Sequence, residues 1–447
     1  MKASSYAGLG LSTFVIGALP VDGRILNLQQ RALQPSNGTF PIISANFSNI
    51  FDIEVTIGDQ EFILLFDTGS ADLWVTETGY QCINGTDNTI QPQSTCMSGN
   101  TTFDIPSDFE QIPNVTFGIQ YGDGIATGEA GYQKVSIGNF TVDRQIIGVV
   151  NSTNIVEDGL ENGLIGFGHP ILTSLHAGTN TSNDTLLLNR TTYPNWITNL
   201  YQQGDIEPYF SLALQRAADG YDSSVGPGGY VGLGIVPPVS HNNSFTTVPV
   251  EITQGIPLSY YPDGQPVISE WTTTVSETRF AGQINTTSYQ AVVDAGNFFN
   301  VFPQEVSDAF NAAFDPPGTL QVDPTGQSQV YVVECDATPP SLEVVVGNTS
   351  FAHDPRDLIL QIDGLCVSAV ASLAAQGGLS FMFLGTPFIK NVVAVFDFGK
   401  EEMRFASTVN STSSTITPHT SASSGTSVAC SCLWLLSVGL TFLVLGM

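Results

Sequence analysis

Basic residues are scarce in this sequence. Its 447 residues include 12 Lys and Arg against 41 Asp and Glu, which gives a formal net charge of −29 at neutral pH. A protein that binds nucleic acid needs a basic surface to neutralise phosphates, so this balance argues against nucleic acid as a partner. The acidity favours solubility. It also suits work at low pH, where many carboxylates are protonated and their mutual repulsion falls.

Candidate metal ligands are scarce as well. The five histidines are scattered and show none of the short spacings of zinc ligands, so we predict neither a metal nor a cofactor. Of the six cysteines, four lie in the body of the chain, and Cys430 and Cys432 lie near its C-terminus. Four cysteines in the body suit two disulfides formed in an oxidising compartment, and they allow three different pairings.

Apolar stretches without charge mark the two ends of the chain. Lys2 precedes a mostly apolar stretch over residues 7–19 with the small residue Ala18 near its end, which predicts a signal peptide over residues 1–20. Residues 21–45 then form a short pro-segment or N-terminal segment with Arg24 and Arg31 as its only basic residues. Asn-x-Ser/Thr sequons recur further along and predict an exported glycoprotein. Examples lie at Asn37, Asn84, Asn114, Asn151, Asn183, Asn285 and Asn348.

The C-terminal end predicts attachment to a membrane. Residues 409–432 are rich in Ser and Thr and cannot bury a core, so we interpret them as an extended stalk. Residues 433–447 are apolar but fewer than the roughly 20 residues that a spanning helix needs. Small residues such as Ser424 and Gly425 before this tail are typical of a glycolipid-anchor signal. We therefore predict a secreted or cell-surface protein, with a single-pass membrane anchor as the alternative.

The body between these ends has the pattern of a mainly β protein. Short apolar or alternating runs are separated by turn residues about every ten positions, which predicts strands. The clearest runs are Phe51–Ile57, Phe62–Phe66, Tyr132–Ile137, Gln145–Val150, Val330–Val333, Leu342–Val346 and Val392–Phe396. Two short helices are also expected, over Pro303–Phe314 and near Asn195–Gln202.

The body also repeats itself loosely. An apolar strand runs into Asp-x-Gly at Asp67 and again at Asp294. Each turn is followed, roughly a hundred residues later, by an apolar pair and a glycine, at Gly166 and at Gly385. One unit made twice predicts two lobes, which we place at residues 46–225 and 226–408.

The two Asp-x-Gly turns suggest a specific chemistry. The strand holds each Asp in place, and the glycine lets backbone amides come close to the carboxylate. If the two turns meet, Asp67 and Asp294 cannot both ionise cheaply and share one proton. The ionised member can then accept a proton from water while the protonated member polarises a carbonyl, which is acid–base hydrolysis of an amide.

The segment from Phe66 to Val75, FDTGSADLWV, resembles the first active-site segment of the pepsin family of aspartic endopeptidases. The resemblance extends over residues 51–406. It includes a flap-like hairpin over residues 118–124, a glycine-rich strand near Gly228 and Gly229, and a closing segment over Phe383–Phe388. It implies a bilobal, mainly β pepsin-like fold with two pseudo-twofold-related lobes and a central substrate cleft. It also implies an endopeptidase that hydrolyses peptide bonds at acidic pH.

The same resemblance assigns roles to individual residues. Asp67 and Asp294 would be catalytic. Active-site support would come from Thr68, Gly69, Ser70, Trp74, Ala295, Gly296 and Asn297. The flap residues that bind substrate would be Tyr121, Gly122 and Asp123, and the disulfides would be Cys82–Cys96 and Cys335–Cys366.

Two positions in the second Asp-x-Gly turn depart from the family pattern. In the family, a hydroxyl at the position of Ala295 usually takes part in a symmetric set of hydrogen bonds beneath the two turns. Ala295 has no hydroxyl, so half of this set would be missing. Asn297 stands where a hydroxyl usually bonds the second Asp, and its amide could donate instead.

Other functions remain open on the sequence. A catalytically silent relative that binds peptides or proteins in the cleft is the main alternative. A structural surface glycoprotein would leave both Asp-x-Gly turns unexplained, and a two-carboxylate glycosidase finds no support in the flap-like hairpin. For the enzyme, we predict a peptide or protein substrate and a monomer. The acidic charge adds the hypothesis of cleavage at basic residues.

Overall fold

The computed structural model describes residues 38–122, 124–179, 190–216, 225–322, 329–362, 365–372 and 381–409. The predicted signal peptide, most of the stalk, the apolar tail, Asp123 and the sequons at Asn37 and Asn183 lie outside these residues. Within them, no helix is long and apolar enough to cross a membrane.

The first half of the body is built from short strands whose apolar residues alternate with polar ones. Its strands are β1 (Thr39–Ala45), β2 (Ile50–Ile57), β3 (Gln60–Asp67), β4 (Leu73–Ile83), β5 (Ile90–Gln91), β6 (Glu110–Gln120), β7 (Ile125–Ile137), β8 (Phe140–Thr153), β9 (Gly163–Gly166), β10 (Leu175–Ala177), β11 (Arg190–Thr191), β12 (Tyr209–Leu214) and β13 (Val225–Leu233).

The second half continues in the same way. Its strands are β14 (Thr246–Pro249), β15 (Thr272–Phe280), β16 (Gln283–Asn285), β17 (Tyr289–Val293), β18 (Asn300–Phe302), β19 (Thr319–Val322), β20 (Gln329–Val332), β21 (Leu342–Val346), β22 (Thr349–Ala352), β23 (Ile359–Ile362), β24 (Leu365–Ser368), β25 (Val370–Ser372), β26 (Met382–Leu384), β27 (Val392–Asp397) and β28 (Glu402–Ser407).

Helices among the described residues are short, as expected. The α-helices are α1 (Trp196–Gln202), α2 (Gln304–Ala312) and α3 (Thr386–Ile389). Helix α1 begins after Asn195, whose side chain accepts a hydrogen bond from the amide of Thr198 and so caps the helix. Single 3₁₀ turns lie at Asn46–Ser48, Gln93–Thr95, Pro170–Leu172, Leu258–Tyr260 and Pro355–Asp357.

The strands form three sheets. A 16-stranded sheet has the order β11-β10-β6-β7-β8-β4-β9-β3-β2-β1-β13-β12-β27-β28-β14 with β5 beside β4, and it therefore joins the first half to the last strands of the chain. The second half adds an eight-stranded sheet, β22-β21-β15-β17-β26-β18-β25 with β16 beside β15, and a four-stranded sheet, β19-β20-β24-β23. Strand β1 pairs with β13, so Thr39–Ala45, which precede the expected boundary of residue 46, belong to the same sheet as the first half.

The predicted repeat is present in the pairing of strands. Strand β3 runs parallel to β9, and Asp67 lies opposite Gly166. Strand β17 runs parallel to β26, and continuing that register by one residue brings Asp294 opposite Gly385. A Cβ atom at Gly166 would lie 2.5 Å from the backbone of Ala71, and one at Gly385 would lie 2.2 Å from a backbone oxygen. Both glycines are needed because the Asp-x-Gly loop packs directly on them.

An aromatic cluster fills the core beneath the two turns. Phe210 stacks on Phe396 with 4.7 Å between ring centroids, and it meets Phe167 edge-on at 5.1 Å. Trp271 meets Phe396 edge-on at 5.2 Å and donates from Nε1 to the carbonyl of Phe167 at 3.1 Å. Each buried Phe adds roughly 1.5–3 kcal/mol by leaving water. The cluster therefore ties the two Asp-bearing strands to one rigid base.

Candidate active site

The two Asp-x-Gly turns stand at the ends of β3 and β17. Asp67 and Asp294 are buried, with 6% and 8% of their surface exposed. The amide of Gly69 donates to Asp67 Oδ1 at 2.7 Å, and the amide of Gly296 donates to Asp294 Oδ1 at 2.9 Å. Each carboxylate is thus fixed by its own turn in the same way.

The two turns face each other. A Cβ atom added to Gly69 would lie 2.7 Å from the carboxyl group of Asp294, and one added to Gly296 would lie 2.5 Å from Asp67 Oδ1. Any side chain at either glycine would collide with the opposite carboxyl group. The pairing that the sequence predicted for Asp67 and Asp294 is therefore present in the geometry.

A single hydroxyl links the bases of the two turns. Thr68 Oγ1 donates to the carbonyl of Val293 at 3.0 Å and accepts from the amide of Ala295 at 2.9 Å. Ala295 has no hydroxyl to return this contact, as expected. Thr68 and Ala295 are both buried, so the two hydrogen bonds of the Thr68 hydroxyl are shielded from water.

The residue that follows each Asp-x-Gly turn makes different hydrogen bonds in the two halves of the molecule. Ser70 Oγ donates to Asp67 Oδ2, the outer oxygen of that carboxylate. The corresponding donation from Asn297 to Asp294, which the sequence left possible, is not formed. Asn297 Oδ1 instead accepts from the amide of Phe299 at 2.9 Å, and its Nδ2 has no hydrogen-bond partner among the described residues. A local Asx-type bond has outcompeted the contact with the carboxylate.

The flap-like hairpin is formed by β6 and β7, which close at Gln120 and Ile125. The amide of Tyr121 donates to the carbonyl of Gly124 at 2.7 Å and closes the tip. Trp74 Nε1 donates to Tyr121 Oη at 3.0 Å, so the flap residue is joined to a side chain of β4. Both Tyr121 and Gly122 are half-buried.

Burial and mutual repulsion shift the pKa values of Asp67 and Asp294. Burial raises the pKa of Asp294 well above its ordinary value, and the charge of Asp67 raises it further. Burial also raises the pKa of Asp67, but hydrogen bonds from Ser70, Asp294 and Gly69 oppose that shift. Burial therefore raises the pKa of both carboxyl groups and favours a pair that shares one proton.

Four residues near the pair were missed at the level of sequence. Asp72 is fully buried and accepts from Tyr193 Oη at 2.6 Å. Glu270 is buried and lies within electrostatic range of both Asp67 and Asp294, and Arg190 lies within electrostatic range of both Asp72 and Glu270. An acidic residue inside an apolar run was the available signal for Asp72, which stands between Ala71 and Leu73.

The expected disulfides are both present. Cys82 is bonded to Cys96, and Cys335 is bonded to Cys366. The first closes a loop after β4, and the second joins the segment after β20 to β24. The family order thus selected the correct pairing out of three.

Comparison with known proteins agrees with this geometry. Residues 50–408 match the family model described as eukaryotic aspartyl protease. A probable aspartic-type endopeptidase of Aspergillus fumigatus is 34% identical over 389 residues, covering 83% of this chain and 82% of that protein. Rhizopuspepsin of Rhizopus chinensis is 26% identical over 397 residues, covering 85% and 84%.

A solved structure shares the fold. The crystal structure of the aspartic proteinase from Irpex lacteus superimposes with a TM-score of 0.61 at 18% identity, covering 84% of this chain and 98% of that one. The chain belongs to the eukaryotic aspartyl protease family. It has the bilobal, mainly β fold of the pepsin type and is an aspartic endopeptidase, so the expectations of fold and enzyme class are confirmed.

Proposed function

We propose that Asp67 and Asp294 are the catalytic pair and that they activate one water molecule between them. Asp67, ionised, accepts a proton from that water. The water oxygen attacks the carbonyl carbon of the peptide bond, while Asp294 donates its proton to the carbonyl oxygen. The tetrahedral intermediate then breaks its C–N bond as the proton held by Asp67 passes to the leaving nitrogen. The carboxylic acid product forms as a hydroxyl proton returns to Asp294.

The observation that carries this proposal is the reciprocal fit of the two turns. Gly69 lies against the carboxyl group of Asp294, and Gly296 lies against that of Asp67. Two acids this close and this buried share one proton at acidic pH, which is the state that the chemistry needs. Tyr121, Gly122 and the flap would cover the bound peptide, and Trp74 would hold the Tyr121 hydroxyl.

Cleavage of a denatured protein tests the proposal. The purified protein is assayed between about pH 3 and 7 with and without pepstatin, beside Asp67→Asn and Asp294→Asn. We expect acid-optimal cleavage that pepstatin blocks and that either variant lowers by about a hundred- to ten-thousandfold. The matched control is Asp59→Asn, an exposed acid on the β2–β3 turn that should cleave like the wild type. Full activity of Asp294→Asn would contradict the assigned pair.

A catalytically silent, peptide-binding relative is the second candidate. Two observations favour it, namely the missing hydroxyl at Ala295 and the absent hydrogen bond between Asn297 and Asp294. Against it stands Thr68, whose hydroxyl still joins the Asp67 turn to Val293 and Ala295, the two residues that flank Asp294. A folded wild-type protein that binds pepstatin but cleaves nothing over the whole pH range would favour the silent relative.

We further propose that the protein is an exported monomeric glycoprotein held at the cell surface by a glycolipid anchor. The support is the sequence of its ends, the two disulfides, and the position of the sequons. Asn114, Asn151 and Asn348 are exposed, and Asn84 and Asn285 are partly exposed, so none of these five is buried in the core. Release from membranes by a phosphatidylinositol-specific phospholipase tests the anchor. Retention in the membrane after this treatment would favour a spanning anchor.

A further inference from the structure

A row of four side chains crosses the large sheet beside Asp67. Asp52 on β2 lies opposite Leu65 on β3. Leu65 lies opposite Leu164 on β9, which in turn lies opposite Trp74 on β4. Residues opposite each other on paired strands project to the same face, and so do residues two apart on one strand, such as Leu65 and Asp67. Asp52 therefore stands at one end of a row on the face of the sheet that carries Asp67.

The flap lies over this face. The apolar members of the row belong to one cluster with the flap residue, and this cluster includes Leu65, Trp74, Ile155, Leu164 and Tyr121. The loop that follows β8 begins at the same place, because Asn154 Oδ1 accepts from the amide of Ile125, the first residue of the second flap strand, at 2.7 Å. The row and the start of this loop are therefore part of the region that the flap covers.

The loop brings further acids to Asp52. Asp52 is fully buried, and neither of its carboxyl oxygens has a hydrogen-bond partner among the described residues. Glu161 is 4% exposed and lies within electrostatic range of Asp52. Its Oε1 accepts from the amide of Asp158 at 3.1 Å, and its Oε2 has no partner in the described part of the chain. Three buried carboxyl oxygens are thus without a donor at the end of the row.

These acids also lack a cation. None of the ion pairs between described residues includes Asp52 or Glu161. The titratable groups that face them are each other, Glu157 and Asp158, all of them acids. Burial, together with these neighbours, raises the pKa of both Asp52 and Glu161 well above the ordinary value. A buried acid without a partner is costly, so a cation that reached this cluster would be bound.

An apolar row that ends in acids matches one kind of side chain. Lys and Arg carry a cationic head on an apolar stem. The stem can lie along Leu65 and Leu164 while the head meets Asp52 and Glu161. The acid that pairs with the head gives its proton to solvent as the ion pair forms. An apolar side chain of the same length would leave the carboxyl oxygens without a partner, and an acidic one would repel them.

We propose that Asp52 and Glu161 are specificity-determining residues that bind a Lys or Arg side chain of the peptide substrate. Asp52 is fully buried in the free enzyme, so binding moves the loop over residues 154–161 aside. Only one position of the substrate is selected in this way, because the row leads from Asp67 to the acids in one direction. The inference rests on the proposed function, which places the peptide beneath the flap.

A peptide library tests the proposal with the purified wild-type protein. One position at a time, on either side of the scissile bond, carries Lys, Arg or norleucine, which is Lys without its ammonium group. We expect one position at which Lys or Arg raises kcat/KM over norleucine by about tenfold to a hundredfold, the typical effect of hydrogen bonds to a charged group. Equal kcat/KM for the three residues at every position would overturn the inference.

The variants Asp52→Asn and Glu161→Gln locate the preference. Each should lower the ratio of kcat/KM for the Lys peptide to that for the norleucine peptide, whereas Glu161→Asp keeps a carboxyl group and should retain most of it. Asp59→Asn, an exposed acid on the β2–β3 turn, is the control and should keep the wild-type ratio. Thermal unfolding shows which variants are folded, and either of the first two decides the role if the other does not fold. A wild-type ratio in the folded variants would overturn the assignment.

Binding of peptides with a reduced scissile bond separates the pocket from catalysis. These peptides carry Lys or norleucine at each position in turn and cannot be cleaved, and their affinities are measured by calorimetry. If the wild type cleaves nothing, the proposed function fails, and tighter binding of a Lys peptide that Asp52→Asn abolishes would still support the pocket. Equal affinities of the Lys and norleucine peptides at every position would overturn the inference whether or not the protein cleaves.

Discussion

Replacing Asp72 with Asn is expected to stabilise the protein at pH 6.5 and to leave its stability at pH 4 nearly unchanged. Asp72 is fully buried, and its Oδ1 accepts from Tyr193 Oη at 2.6 Å and from the amide of Ser174 at 3.0 Å. Its Oδ2 has no partner among the described residues. An Asn can keep both hydrogen bonds through its own Oδ1, so the substitution removes mainly the ability to ionise.

The size of the effect follows from the pKa. Burial raises the pKa of Asp72 from 3.8 to about 6, against the opposing hydrogen bonds of Tyr193 and Ser174. In the unfolded chain the acid loses its proton near pH 4, whereas in the folded protein it keeps the proton until about pH 6. Deprotonation therefore stabilises the unfolded state over that window, and the wild type loses stability as the pH rises. A shift of two pKa units corresponds to about 3 kcal/mol.

Urea unfolding at pH 4 and pH 6.5 measures the effect. The free energy of unfolding of Asp72→Asn minus that of the wild type should rise by about 2 kcal/mol between the two pH values, because neither pH lies far outside the window between the two pKa values. Asp59→Asn, an exposed acid on the β2–β3 turn, is the control and should show no such rise. A difference that is the same at both pH values would refute the reasoning, because it would mean that Asp72 does not keep its proton on folding.

Two further substitutions probe the remaining polar contacts. Thr68→Val leaves the carbonyl of Val293 and the amide of Ala295 without their buried partner. The free energy of unfolding should therefore fall by about 3 kcal/mol, and cleavage should weaken. An unchanged melting temperature would contradict this. Asp357→Asn leaves the buried Lys390 ammonium without its carboxylate at 3.2 Å and should cost about 3–5 kcal/mol at pH 5. Because the pKa of Asp357 is lowered, with its charged partners outweighing burial, this cost should shrink as the pH falls below about 4.

The local sequence pattern was sufficient to predict the strands and the two Asp-x-Gly turns. The runs at Leu342–Val346 and Val392–Phe396 were predicted within one residue, because alternation of apolar residues is set by neighbours along the chain. The two Asp-x-Gly turns and the later glycines were found in the same way. Their meeting could be inferred only because the unit occurs twice, and a duplicated unit tends to pair across an axis.

Contacts between segments that are distant along the chain could not be predicted from the sequence. Asp72 and Tyr193 are 121 residues apart, and nothing in either neighbourhood marks the other as its partner. Glu270 comes within electrostatic range of Asp294 because strands β15 and β17 pair. Asn297 shows the converse, since the expected contact with Asp294 gave way to a bond with its own neighbour at Phe299.

The sequence by itself determined the enzyme class and singled out Asp67 and Asp294 as candidate catalytic acids, since both follow from short motifs and their order along the chain. The tertiary structure decided which acids are shielded from water and which charges lie beside them. Burial and proximity set the proton affinity of Asp294, Glu270 and Asp72, and both depend on segments that only folding brings together.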